Sequence, residues 1–161
     1  MKSIFYILFS IVCLLLTFSC KTGKNQLTPS SMKVSFVVLQ KGNLYGAGEE
    51  EIASGLYAAY AHASSLSLVK KMNRINLEID TTKLPKKDFY TGSALLFIFD
   101  AVRGSGGHEI SIENILTRND TLFVQAKKHA PEGPASTVMT QPYVIVSLEK
   151  PTLPVQLEFI E

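Results

Sequence analysis

His62, His108 and His129 are the chain's three histidines. Each is a candidate base for hydrolytic chemistry, which needs a nucleophile, a base and a group that orients the base. None of them stands in a motif that supplies all three. His62 falls inside a helical pattern, where a surface or half-buried packing histidine is the plainer reading. His129 follows Lys127-Lys128 and reads as part of a solvated loop. His108 has the richest neighbourhood. Gly104-Ser105-Gly106-Gly107 precedes it, a run able to bring backbone amides close to a ligand, and Asp100 and Arg103 are near in sequence. The bland counterpart is a glycine turn entering a strand. A phosphate loop needs a helix after the glycines and usually a lysine, and neither follows. Glu109 takes the opposite face of a strand from His108, so the two do not form a joint metal site, and no other ligands stand at metal-binding spacing.

The cysteines narrow the chemistry further. The chain has two, Cys13 and Cys20. Cys13 lies in an apolar run from Ile4 to Phe18 that follows Lys2, and Cys20 lies just after it, before the polar Lys21-Thr22-Gly23-Lys24-Asn25-Gln26. This reads as a secretory signal over residues 1–19 with Ser19-Cys20 as a lipoprotein cleavage site. The apolar run falls short of the roughly 20 residues that span a bilayer. Thr17 stands where such a site most often has Leu, and Phe18 is larger than usual there. An ordinary cleaved signal or an uncleaved anchor helix is the alternative. With Cys20 lipidated, residues 20–31 are a polar tether and residues 32–161 a cysteine-free domain. That excludes disulfides, thiol nucleophiles and cysteine-ligated zinc, and leaves stability to an apolar core. About 130 residues suffice for one domain burying about two-thirds of its unfolded surface. Without Lys2 there are 15 basic and 14 acidic residues, which gives no electrostatic case for nucleic acid.

The elements that must position these residues follow from periodicity. Lys33 to Gln40 alternates as a first strand, with Gly42-Asn43 as the turn after it. Glu49-Glu50-Glu51 suits a helix start, and Ile52, Leu56, Tyr60, Ala63 and Leu66 recur at helical spacing on one face. Ile75 to Ile79 reads as a short strand closing at Asp80-Thr81-Thr82. Ala94 to Phe99 is six apolar residues without alternation, the mark of a central strand covered on both faces, by the helix and by a second layer. His108 to Ile115 and Thr121 to Lys127 alternate about Arg118-Asn119-Asp120 as a hairpin, with Ile110, Ile112, Leu122, Val124 and Ala126 inward. A loop on Ala130-Pro131-Glu132-Gly133-Pro134 leads to a bent strand from Val138 to Lys150, with Pro142 at the bend. Val155, Leu157 and Phe159 make a last, edge strand. The expected fold is α+β: a single domain with a mostly antiparallel β-sheet of about six to seven strands and one main α-helix packed against it.

In this setting the motifs carry a resemblance. Pro85-Lys86-Lys87-Asp88-Phe89, the apolar strand Ala94 to Phe99, Ser105-Gly106-Gly107, the hairpin, Ala130-Pro131 and Thr140-Gln141-Pro142-Tyr143-Val144-Ile145-Val146 stand in this order over residues 85–150. The region resembles the PrcB C-terminal domain family, whose namesake is an accessory lipoprotein of a bacterial protease complex of the dentilisin type. The family tends to carry an aromatic residue, usually Tyr, after Gly-Gly. Here His108 stands in its place, and where that aromatic shapes a binding surface a different partner is implied.

The resemblance implies a non-catalytic, exported lipoprotein that acts as a protein-binding accessory module, assembling with or stabilising a secreted or surface protease or another envelope protein. Its candidate binding surface is Gly106, Gly107, His108, Pro131 and Tyr143, with no catalytic residue, metal or cofactor. A small-ligand module, for instance a carbohydrate binder using His108, Tyr143 and Tyr90, is the competing class; the absence of tryptophan weighs against it. A hydrolase is the third. The expected location is the bacterial cell envelope, lipid-anchored, at the outer membrane where the cell has one, because Lys21 rather than an acidic residue follows Cys20. If Cys20 carries the lipid, Cys20→Ala abolishes incorporation of a labelled fatty acid and leaves the fold intact. Label retained by the variant would refute the lipoprotein reading.

Overall fold

The computed structural model describes residues 31–46, 51–75, 82 and 84–161. The signal, Cys20, nearly all of the tether, Glu49-Glu50 and the strand expected after Ile75 lie outside them. Among the described residues there are eight strands: β1 (Met32–Lys33), β2 (Phe36–Tyr45), β3 (Gly55–Ala59), β4 (Ser93–Phe99), β5 (Glu109–Arg118), β6 (Thr121–His129), β7 (Thr140–Glu149) and β8 (Val155–Ile160). One α-helix, α1 (His62–Ile75), and one 3₁₀ helix (Lys87–Thr91) complete them. The strands form two four-stranded sheets, in the orders β1-β5-β6-β8 and β2-β7-β4-β3. The expected mostly antiparallel α+β domain is what is found, with its strands divided between two sheets. The β6–β8 pair alone is parallel.

β4 holds the place the uninterrupted apolar run demanded. Ala94 to Phe99 are all fully buried. Leu95, Phe97 and Phe99 pack with Tyr143, Ile145, Val69 and Met72 on the helix side. Leu96 and Ile98 pack with Val144, Val146, Ile110, Ile115 and Val124 between the sheets. The β5–β6 hairpin is also as expected. Asn119 and Asp120 take φ of 50° and 55°, the paired left-handed residues of a two-residue turn whose twist matches the strands. Leu122, Val124 and Ala126 are its inward row. The alternation of β5 is broken once, by a bulge between Ile112 and Asn114.

Three expectations are corrected. Gly42-Asn43 is not a turn: β2 runs through both, opposite Tyr143 and Pro142. A side chain at Gly42 would sit 3.3 Å from the Tyr143 hydroxyl, so this glycine admits a close neighbour. Second, the helix does not begin at Glu49-Glu50-Glu51. Leu56 lies in β3, which pairs with β4, and α1 starts only at His62. Residues four apart share a face in a strand as they do in a helix, so Ile52, Leu56 and Tyr60 suit both. Gly55, at φ 141°, is in a conformation closed to helices. Third, the first strand is two pieces, β1 in one sheet and β2 in the other.

α1 buries Ser65, Val69 and Met72. Ser65 is tolerated there because the Tyr90 hydroxyl donates to its Oγ at 2.8 Å. Burial pushes the Tyr90 pKa up, against the effect of that bond. Phe97→Ala removes a ring with no exposed surface, and the loss is expected to be about 3–5 kcal/mol in urea unfolding, transfer and cavity together. A loss below about 1 kcal/mol would contradict the two-sided burial.

Candidate functional site

The chain from Asp100 to His108 crosses between the sheets at one end of the sandwich, where it meets the segment before β7. Arg103 and Thr140 exchange backbone bonds of 2.7 and 3.0 Å. Thr140 Oγ1 donates to the Ser105 carbonyl at 2.8 Å, and Gly106 N donates to the Ser136 carbonyl at 3.0 Å. Gly107 sits at φ 79°, and a Cβ on it would lie 2.9 Å from Pro131 Cβ. The structure therefore brings Gly106, Gly107 and Pro131 together as one seam between two loops. His108 lies beside them, half-buried, with its Nε2 3.2 Å from Ser105 Oγ and its carbonyl accepting from Asn43 Nδ2 at 3.0 Å. Tyr143 is apart from this seam: 5 % exposed, it accepts from Gln40 Nε2 at 2.9 Å and packs near Phe99.

Two polar residues that sequence reasoning did not assign to the site hold this end together. Asp100 continues the inward row of β4 past Ile98, and Lys128 continues the inward row of β6 past Ala126. Their charges meet, with Lys128 Nζ 2.8 Å from Asp100 Oδ1, while Arg103 Nε donates to Asp100 Oδ2 at 2.8 Å. Burial alone would raise the Asp100 pKa. Hydrogen bonds from Lys128, Arg103 and the Ala101 amide, together with the Lys128 charge, outweigh it and hold the carboxyl below its ordinary value. Lys128 Nζ also lies 3.8 Å from the centre of the Phe159 ring, tying in β8.

Gln141 is the second. Pro142 has no amide to return to the Asp100 carbonyl, although Asp100 N donates to the Pro142 carbonyl at 3.0 Å. Gln141 Nε2 takes the missing role at 2.9 Å. The same side chain accepts from Ile52 N at 3.2 Å and donates to the Ile52 carbonyl, so a 1 % exposed amide stands in for a strand on that flank. The Gln-Pro order was the available signal: a proline in an inner strand orphans a carbonyl, and a neighbouring amide side chain is a means of pairing it.

Two serine–histidine contacts bear on catalysis. Ser111 Oγ lies 2.8 Å from His129 Nε2 but donates its proton to Glu113 Oε1 at 2.6 Å. His129 is then the donor in the pair, the reverse of a general base. His108 and Ser105 form the other pair, within the welded loop. Among the described residues no group of three or more His, Cys, Asp or Glu is placed to hold a metal ion. Among the described residues Tyr143 lines a cleft of about 90 Å³ with Lys41, Asn43 and Glu109, and Tyr90 lines a different one with Tyr60, His62 and Lys87.

Asp100→Asn leaves two cations without their countercharge, and is expected to cost about 1–3 kcal/mol near neutral pH, discounted because Arg103 and Lys128 are a third or more exposed. A lowered folded pKa means that the carboxylate's contribution is complete above the unfolded value, near pH 4, and is lost as pH falls through the folded one. Urea unfolding of wild type and variant should differ by the full amount above about pH 5, and the difference should begin to shrink only as pH falls below about 4. A pH-independent difference would contradict the ion-pair account.

Residues 95–149 match the model of the family described as PrcB C-terminal. No curated protein and no solved structure matches the chain. The matched stretch enters within β4, takes in β5 and β6, and leaves at the end of β7, so it comprises the two inner strands of each sheet. The edge strands and α1 fall outside it. From residue 95 to residue 149, through the glycine seam and the Gln-Pro step, this chain is similar to the PrcB C-terminal family.

Proposed function

We propose that the protein is a non-catalytic accessory module, exported and lipid-anchored through Cys20, which binds a protein partner at its loop end and assembles with or stabilises it. A secreted or surface protease is the partner that the family suggests; another envelope protein is the alternative. The observation that carries this reading is the character of the loop end. Its polar groups are spent on welding the glycine loop to the segment before β7, while Tyr45, Val138 and Met139 beside the weld stay 50 %, 47 % and 45 % exposed. A rigid platform that leaves large apolar side chains in water is suited to a protein contact.

The placement of the chain supports the same use. β1 pairs with the far end of β5, at Leu116 and Thr117, so the tether joins the domain at the end opposite the loops. A tether of residues 20–31 reaches at most about 40 Å. The loops then face away from the membrane. A small-ligand site is the second reading, favoured by the cleft of about 620 Å³ where Tyr60, His62 and Tyr90 gather near Lys87 and Asp88.

The affinity-tagged full chain, extracted from its native membranes in detergent, provides the test. Proteins that co-purify with wild type are expected to fall about tenfold or more with Val138→Asp/Met139→Asp, both exposed sites, with unchanged melting curves as the check that the variant folds. Equal recovery with the variant would remove the loop end as the contact surface. Turnover of peptide or ester substrates that vanishes in folded His108→Tyr would replace the accessory reading with an enzymatic one.

A further inference from the structure

The cleft of about 620 Å³ lies between the start of α1 and the 3₁₀ helix, at the other end of β4 from the glycine seam. Sheet register builds it. Ala59, the last residue of β3, pairs with Leu95, so Tyr60 leaves the sheet beside the point where the 3₁₀ helix leads into β4. α1 begins at His62, and this sets His62 against Tyr90, with ring centres 6.1 Å apart and planes at 78°. The Tyr90 hydroxyl is spent on Ser65 Oγ at 2.8 Å, so what Tyr90 offers the cleft is its ring. Tyr60 is 39 % exposed, and Lys87, Asp88 and Thr91, all exposed, complete the polar part of the lining.

The polar groups here differ from those of the loop end. There, Asp100, Arg103, Lys128 and Thr140 are spent on partners within the protein. In the cleft, among the described residues, Lys87 and Asp88 enter no ion pair. Aromatic walls with a few convergent polar groups, in a volume within the range of about 300–1,000 Å³, are the make-up of a small-molecule site. We propose that this cleft binds a neutral saccharide, with one pyranose ring lying on Tyr60 and its hydroxyls bonded by Lys87 and Asp88. Two observations choose the class. The ammonium and the carboxylate are on adjacent residues, so an anion is repelled by Asp88 and a cation by Lys87, whereas hydroxyls accept from the one and donate to the other. His62 and Tyr90 stand edge to face, so they form no parallel slot to clasp a flat aromatic ligand. A sugar needs the electron-rich face of one ring, toward which its C–H groups point. The chain has no tryptophan, so the stacking rests on the smaller tyrosine ring. This inference rests on the small-ligand reading of the cleft and names its ligand. The loop platform, a full length of β4 away, stays open to a protein partner at the same time.

The full chain, held in a detergent without a sugar headgroup, is probed on a glycan array that carries neutral oligosaccharides beside cationic glucosamine and anionic galacturonate oligomers. Neutral glycans are expected to bind and to slow amide exchange in residues 60–63 and 87–91. They should bind Tyr60→Ala, and Lys87→Met with Asp88→Asn, about tenfold or more weakly. Tyr60→Phe keeps the ring and should bind within about threefold of wild type. All three sites are exposed, and unchanged melting curves would confirm that the variants fold. Binding confined to the charged glycans, or neutral glycans that bind Tyr60→Ala equally or protect amides elsewhere, would overturn the proposal. So would indole or adenine protecting the cleft while no glycan does, a result that leaves the small-ligand reading standing with another class of ligand. Protection of the cleft by neither glycans nor flat aromatics would end both.

Discussion

Strands β4 and β7 have almost no solvent face, and that single constraint places every other element. Along β4, Leu95, Phe97 and Phe99 must be covered from one side and Leu96 and Ile98 from the other; along β7 the same holds for Tyr143 and Ile145 against Val144, Val146 and Leu148. Each such side chain contributes about 1.5–3 kcal/mol only while its cover is present. The second sheet supplies one cover and α1 the other. The sandwich must also be closed at its ends, where inward rows run out into polar residues. At the loop end Asp100 and Lys128 are the last members of two facing inward rows, and their ion pair lets the rows end without an unpaired buried charge.

This constraint was legible in the sequence wherever it produced an unambiguous pattern. Six apolar residues in succession from Ala94 have no amphipathic reading, so their two-sided burial followed directly. Thr121 to Lys127 alternates without interruption, and Asn119-Asp120 has the chemistry of its turn. Ile52, Leu56 and Tyr60 misled because a spacing of four is common to both periods, and three glutamates upstream imitated a helix start. The buried stripe of α1 includes Ser65, which counting apolar residues passes over. Gly42-Asn43 has turn composition for a different reason: glycine makes room for the Tyr143 ring, and Asn43 spends its side-chain amide on the His108 carbonyl. Composition reports that a residue is unusual in its backbone or neighbours, not which neighbour made it so.

The loop end was legible as a place but not as a mechanism. Gly106, Gly107 and Pro131 come together, and the physical cause is visible only in three dimensions: a positive φ at Gly107 and a proline ring where a Cβ would be. The partners that hold the seam, Ser136, Thr140 and Gln141, are up to 89 residues from the groups they bond, and short-range pattern reading has no access to such distances. Gln141 is the most instructive. Its side chain replaces an amide that Pro142 deleted and simultaneously stands in for a strand beside Ile52, so one residue repairs the ladder on two sides. Replacing it by an apolar residue of the same volume would leave peptide groups of Ile52 and Asp100 buried without partners, a cost far above that of losing a surface glutamine.

The matched segment and the free edge at β2 divide the molecule along a physical line. The segment from residue 95 to residue 149 builds β4, β5, β6 and β7, which are inner strands with both edges paired. Inner strands have no free peptide groups to offer, so they can present a partner only with their connecting loops. That is where Val138 and Met139 lie. β2 lies outside the segment and is an edge, with a row of peptide groups and apolar side chains on both faces. The edge and the loop platform nevertheless adjoin, because Gly46 at the end of β2 bonds Met139 at the start of the loop contribution to β7. The bulge at Leu39 and the Lys41–Glu109 ion pair within β2 blunt the edge against further strand pairing, so the loops are left as the part of this end best able to meet a partner.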